Sequence, residues 1–269
     1  MSFSWTRVKA IFVKEINDYR RNRFVMVFTM TLLPLILIAA PTAQLLAAPA
    51  VAASSQLDAR VGVSLLYLLL VPAIVPSMVA AYSVIGERDQ GTLEPILITP
   101  IRREEFLVGK ALAVLVPTLV VAYTIFGVFL AIAALFAHPD MRSAIFAGSH
   151  IPVQVAFTPL LAGWSIWVGI AMSARSSDVR VAQQLSVLAN LPPVAIVALI
   201  GFNVIPPSTG LALGLAGVLL ALDVLGWRAV AAMFDRERLI TGARGWRAPA
   251  TGAALRVRGR RRSESGPER

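Results

Sequence analysis

The chain has 269 residues and a formal net charge of +10, from 25 Lys and Arg against 15 Asp and Glu. Yet 57% of its residues are hydrophobic and only 15% charged, with a mean hydropathy of +0.72. So apolar a chain excludes a soluble nucleic-acid-binding domain, whose charge must coat a water-facing surface. The absence of Cys excludes disulfide scaffolds and Cys-based zinc or redox sites, and two His cannot build a His-rich metal cage.

At the N-terminus, Trp5, Val8, Phe12, Ile16 and Tyr19 recur at helical steps and fall within an arc of about 80°. Arg7, Lys14 and Asp18 point the opposite way. Residues 1–23 are therefore expected to form a helix in the membrane interface, its basic side chains reaching the headgroups. It either sets topology only or acts as a lever on a cytoplasmic partner.

Six apolar stretches follow: 24–48, 61–85, 111–136, 155–172, 185–205 and 209–226. A helix crossing the hydrocarbon core needs about 20 residues. Asp223 is the one charged residue within these stretches, as a charge at the bilayer centre is costly. The expected fold is all-α, with six transmembrane helices. The first stretch is longer than a signal-peptide core and follows Glu15 and Asp18, so it is expected to stay as an uncleaved helix. Segments 1–23, 86–110, 173–184 and 227–269 hold 23 Lys and Arg, against 2 in the alternate loops. The positive-inside rule then places both termini in the cytoplasm of a cell (inner) membrane protein.

Segment 86–110 carries the densest information. Glu87, Arg88 and Asp89 close the second span, and Gly91 permits a sharp turn. Leu93, Ile96 and Leu97 form a short apolar helical face that needs something to bury it. Thr99 and Pro100 suit the N-cap and first position of a new helix, with Glu104 and Glu105 in its early turns.

Prolines recur through the spans, from Pro34 and Pro41 in the first onward, and Pro192-Pro193, after Asn190, is expected to break span five into two halves. The polar residues of the spans, Tyr123, Ser165 and Asn190 among them, are read as interhelical hydrogen-bonding groups. Asp223 lies near the cytoplasmic boundary, and an interfacial or Arg228-paired role is expected in preference to a coupling or substrate role. His138, His150 and Asp140 share an outer loop but are read as solvated, so no metal site is expected. The domain division is 1–23 for the interfacial helix, 24–234 for the transmembrane domain, and 235–269 for a basic tail. That tail holds 10 Arg and 4 acidic residues and is read as disordered.

The run Glu87-Arg88, then Gly91-Thr92-Leu93-Glu94, Leu97, Thr99-Pro100, Arg103, Glu105 and Gly109-Lys110 resembles the ABC-2 type permeases, the membrane subunits of ATP-binding-cassette exporters. The likeness extends to the N-terminal helix, the six spans and the Ser176, Ser177, Arg180, Gln183 pattern after span four, over roughly residues 5–230. The resemblance implies that Glu87, Gly91, Thr92, Leu93, Glu94 and Leu97 belong to a cytoplasmic coupling helix that docks on an ATPase subunit. It also implies two ATPase copies and a second permease chain, identical or related, with membrane lipids around them. The chain lacks a Gly-x4-Gly-Lys-[Ser/Thr] loop, so ATP and Mg are expected on the partner subunit; no cofactor is expected on this chain and no residue is assigned a catalytic role. No nucleic-acid partner is expected, the basic charge being read as topology and attraction to anionic headgroups. The expected function is export of a hydrophobic or lipid-like small molecule. The alternatives are a mechanical subunit that passes ATPase motion to an extracytoplasmic partner and, ranked last, an ion-coupled transporter relying on Asp223.

Overall fold

The structure, a computed structural model, describes residues 3–47, 54–89, 91, 101–147, 150–202, 204–205 and 208–233. Every regular element among them is helical: α1 (Trp5–Arg21), α2 (Leu33–Leu46, continuing a π-helical Phe24–Leu32), α3 (Ser54–Asp89), α4 (Arg103–Phe136), α5 (Pro139–Ala147), α6 (His150–Arg175), α7 (Val179–Ala189), α8 (Leu191–Gly201) and α9 (Thr209–Met233). Six segments are long and apolar enough to cross a membrane: Phe24–Leu46, Gln56–Asp89, Arg103–Phe136, His150–Arg175, Val179–Ile200 and Gly210–Ala232. Each contains or overlaps one apolar stretch of the sequence.

α3 and α4 run for 36 and 34 residues. At 1.5 Å per residue each exceeds the roughly 30 Å hydrocarbon core by several turns. Those extra turns give α1 something to pack on. Ile11 and Tyr19 of α1 join Val84 of α3, Phe106, Leu107 and Val114 of α4, and Ile166 and Ile170 of α6 in one apolar cluster. A second cluster closes the opposite end, where Met141 and Ile145 of α5 insert among Leu45, Val61, Leu68, Phe126 and Phe129.

Small and polar residues let the spans approach closely, as expected where lipid removes the hydrophobic drive between helices. A Cβ on Gly169 of α6 would stand 2.6 Å from the Ala80 Cβ of α3. Nearby, Ser173 Oγ accepts from the Val84 and Ile85 amides at 3.0 and 3.1 Å. On the other side of α6, a Cβ on Gly226 of α9 would meet Trp167 at 3.1 Å, and the Trp167 and Trp227 rings meet edge to face.

The prolines leave backbone acceptors that side chains then satisfy. Pro159 cannot donate to the Val155 carbonyl one turn earlier; Tyr123 of α4 supplies its hydroxyl there instead, at 3.0 Å. Span five is broken where Pro192-Pro193 predicts, between α7 and α8. At the break the Asn190 amide turns to Val187 O, and its side-chain Nδ2 donates to Ser186 O at 2.8 Å. Its Oδ1 accepts from Ser165 Oγ of α6 at 2.9 Å, an interhelical bond of the kind the sequence suggests.

The helix after segment 86–102 begins later than Thr99-Pro100 implies. Ile101 and Arg102 are not helical, Arg102 is extended, and α4 starts at Arg103. Glu105 sets that start: its Oε2 accepts from the Arg102 amide at 3.0 Å, satisfying a donor that a helix N-terminus leaves open.

Candidate functional site

The densest chemistry lies where α1 crosses the ends of α3 and α4, around a lysine. Lys110, in the second turn of α4, is fully buried. Its ammonium donates to Glu15 Oε1 of α1 at 2.9 Å, stands 3.1 Å from Glu87 Oε1 of α3, and donates to the Ser83 carbonyl of α3 at 2.9 Å. The Phe106 ring lies beneath it, 5.0 Å from the charge. Three helices thus meet at one cation. Lys14 supplies a second cation, 2.7 Å from Glu87 Oε1, 3.2 Å from Glu15 Oε1 and 3.3 Å from Asp18 Oδ2.

Taking such charges out of water is expensive, and it is repaid only when each has good partners. Here burial opposes ionisation of Glu15, but the Lys110 and Lys14 ammoniums outweigh it and hold its carboxyl below the usual range. Burial likewise acts against the Lys14 charge, and Glu15 and Glu87 reverse it, raising the ammonium's pKa. Tyr19, buried beside these carboxylates, is pushed well up, first by burial and then by the charge of Glu15.

One turn away, Glu105 makes a second joint. It is fully buried, and its Oε1 accepts from the Ser4 amide at 2.7 Å and lies 3.3 Å from Arg7 Nη2. Between the two joints, Gly109 lets the helices touch. A Cβ there would stand 2.7 Å from Ile11 Cγ2 and 3.2 Å from the Val8 carbonyl.

Both ends of the segment joining α3 to α4 are therefore tied to α1. Glu87 enters the first joint, α3 ends at Asp89, and Gly91 just beyond has a φ of +68°, the sharp turn its residue type predicts. Thr92, Leu93, Glu94 and Leu97, expected in the coupling helix, lie outside the described residues. Arg88 Nη1 donates to the Ser176 carbonyl at 3.1 Å, linking this segment to the one between α6 and α7. There Asp178 caps α7 by accepting from the Arg180 amide, and Gln183 donates to the Met78 carbonyl of α3.

The amphipathic arc of α1 is divided between two surroundings. Val8 and Tyr19 are buried, Phe12 and Ile16 half-buried, and Trp5 is 67% exposed. The buried stripe runs Val8, Ile11, Glu15, Tyr19. It is rotated by roughly 50° from the apolar arc, at 100° per residue. A charged residue lies in the packed face and an indole on the open one. Glu15 and Lys110 are the residues that sequence reasoning missed as a pair; their only signal was a charge inside an otherwise apolar stripe.

Asp223 stands apart. It is not paired with Arg228, because five residues turn a helix by about 140°. Its Oδ2 instead lies 2.8 Å from where a Cβ on Gly163 of α6 would be, and its buried Oδ1 has no hydrogen-bond partner. Among the described residues no group of three or more His, Asp or Glu is placed to hold a metal ion.

A family model described as an ABC-2 family transporter protein matches residues 9–232, from within α1 to the last turn of α9. No curated protein matches the chain. The match covers the six candidate spans and every member of the Lys110 cluster, so this multi-pass membrane protein belongs to the ABC-2 transporter family.

Proposed function

We propose that the chain is the permease subunit of an ABC exporter, moving a hydrophobic or lipid-like small molecule outward with ATP and Mg held by a separate subunit. Two ATPase copies and a second permease chain, identical or related, complete the assembly in the cell membrane. Both termini and segment 86–102 face the cytoplasm. The single observation that supports this best is the pair of buried joints, Lys110 with Glu15 and Glu87, and Glu105 with Ser4 and Arg7. They make the ends of segment 86–102 and α1 one rigid body, so a push on that segment moves α1, α3 and α4 together. Gly91, Thr92, Leu93, Glu94 and Leu97 are the proposed contacts with the ATPase, and Glu87, buried in the first joint, ties the start of their segment to α1 instead of touching the partner. Asp223 is proposed to have no coupling role.

Co-expression with an ATPase encoded beside it tests the reading. A complex should form, and Leu93→Arg should disrupt it. An intact complex with normal stimulation of ATP hydrolysis in that variant would sink the docking assignment. Hydrolysis in liposomes that responds to no small molecule, and only to a third, external protein, would replace export by force transmission.

A further inference from the structure

The joints at the α1 end consume some basic residues of α1 and leave others. Arg7 is held by Glu105, and Lys14 by Glu15, Asp18 and Glu87. Arg20, Arg21 and Arg23 are exposed, and no carboxylate among the described residues pairs with them. They flank the elbow where α1 gives way to the first span. Asn22 makes that elbow: its amide closes α1 on the Asp18 and Tyr19 carbonyls, and its Oδ1 accepts from the Phe24 and Val25 amides. Directly beyond it an open apolar strip begins with Phe24, Val27 and Phe28, which are 49%, 62% and 38% exposed. The Phe24 and Phe28 rings stack at 5.2 Å.

An elbow between an interfacial helix and a span stands at headgroup depth. Three guanidiniums there, each a planar fork suited to phosphate oxygens, sit one residue from a surface suited to an acyl chain. Charge and apolar surface come in the order that a phospholipid presents them. We propose that this elbow binds one anionic phospholipid, its phosphate held by Arg20, Arg21 and Arg23 and an acyl chain laid along Phe24 and Phe28. The lipid fixes the C-terminal end of α1 while the Lys110 cluster fixes its middle, so it sets the angle between α1 and the first span. The inference rests on residues 24–46 being a span and is independent of the ATPase, the cargo and the direction of transport.

The test uses the purified full-length permease without an ATPase, so its failure leaves the transport reading standing. The protein is reconstituted in equal phosphatidylcholine and phosphatidylglycerol, re-extracted, and its retained lipid measured by native mass spectrometry. Wild type and a Lys9→Gln control should retain phosphatidylglycerol several-fold over phosphatidylcholine, with one molecule persisting. Arg20→Gln/Arg21→Gln/Arg23→Gln should lose that preference at an unchanged melting temperature. Should the triple variant misfold, Arg21→Gln and Arg23→Gln singly should each lower the retained fraction at least twofold, and no effect from either overturns the proposal. Equal retention in wild type and a folded triple variant also overturns it. So does displacement of the retained lipid by millimolar inorganic phosphate, which would make this a site for the free anion.

Discussion

The Lys110 ammonium lies 2.9 Å from Glu15 Oε1, across 95 residues of chain, and neither side chain is appreciably exposed. The two come from different helices, and the third partner, Glu87, from yet another. With Lys14 bridging both carboxylates, the four charges balance only as a set. Losing one partner of a buried ion cluster leaves an uncompensated charge, typically at a cost of about 3–5 kcal/mol. Lys110→Met should therefore lower the melting temperature markedly, as read by differential scanning fluorimetry in detergent. Adding Glu15→Gln and Glu87→Gln should recover much of the loss, since neutral amides then replace two buried carboxylates left to share Lys14 alone. A Lys110→Met protein as stable as wild type would contradict the joint.

The same cluster dictates a pH profile. Glu15 is held below its ordinary value of 4.5, so its contribution is complete above that pH and disappears as pH falls through the lowered value. Lys14 and Tyr19 are raised above ordinary values of 10.5 and 10.0, so their contributions are complete below about pH 10 and fall away at higher pH. Melting temperature against pH should be level between about pH 5 and pH 10 as far as these groups are concerned, with an acid limb that Glu15→Gln flattens. An acid limb identical in the two proteins would assign it elsewhere.

Gly109→Val tests the contact itself. The added Cβ would meet the Ile11 side chain near its root and the Val8 backbone, neither of which can swing aside. α1 should lift from α4, and limited proteolysis should cut between α1 and the first span at least tenfold faster. The same substitution at Gly127, where a Cβ meets nothing, should leave the digestion rate unchanged.

Tyr123 and Pro159 make a reciprocal pair, because the hydroxyl of one answers the amide missing from the other. Tyr123→Phe should cost about 1 kcal/mol, the scale of an unmet acceptor. Pro159→Ala restores a backbone donor to Val155 O, so in that background Tyr123→Phe should cost much less. A double-mutant cycle with no coupling would show that the hydrogen bond is not what holds the proline turn.

Asp223→Asn removes an ionisable group from a span without removing any hydrogen bond that Oδ1 makes, since it makes none. Thermal stability should hold or rise. Transport in liposomes should fall less than it does in Leu93→Arg. Abolished transport at normal stability would give the carboxyl a working role.

Much of this architecture is legible in the chain. Long apolar runs separate the spans, Gly91 marks a turn that only a left-handed residue makes easily, and Pro192-Pro193 marks the break in span five. Such signals are local, and local chemistry suffices for them. The Lys110 cluster is not local. Glu15 looks like a residue of a solvated face, and the arc of Trp5, Val8, Phe12, Ile16 and Tyr19 draws the eye to the wrong side of α1 by roughly 50°. Which side packs is decided by Gly109, whose lack of a side chain admits Ile11, and by where α3 and α4 bring their charges. The start of α4 was displaced for a similar reason. Thr99-Pro100 has the form of a cap, but Glu105 reaches both Ser4 and Arg102, and that long-range bond chooses the register.

The two joints also define what can be exchanged between members of the family. A stretch transplanted from a relative as residues 86–110 would bring its own counterparts of Glu87, Glu105, Gly109 and Lys110, but leave them facing a foreign α1. The charge at position 15 and the bulk at position 11 would then be matched only by chance. A graft of that segment must carry residues 4–19 with it, because the two pieces of chain fold against each other and travel together.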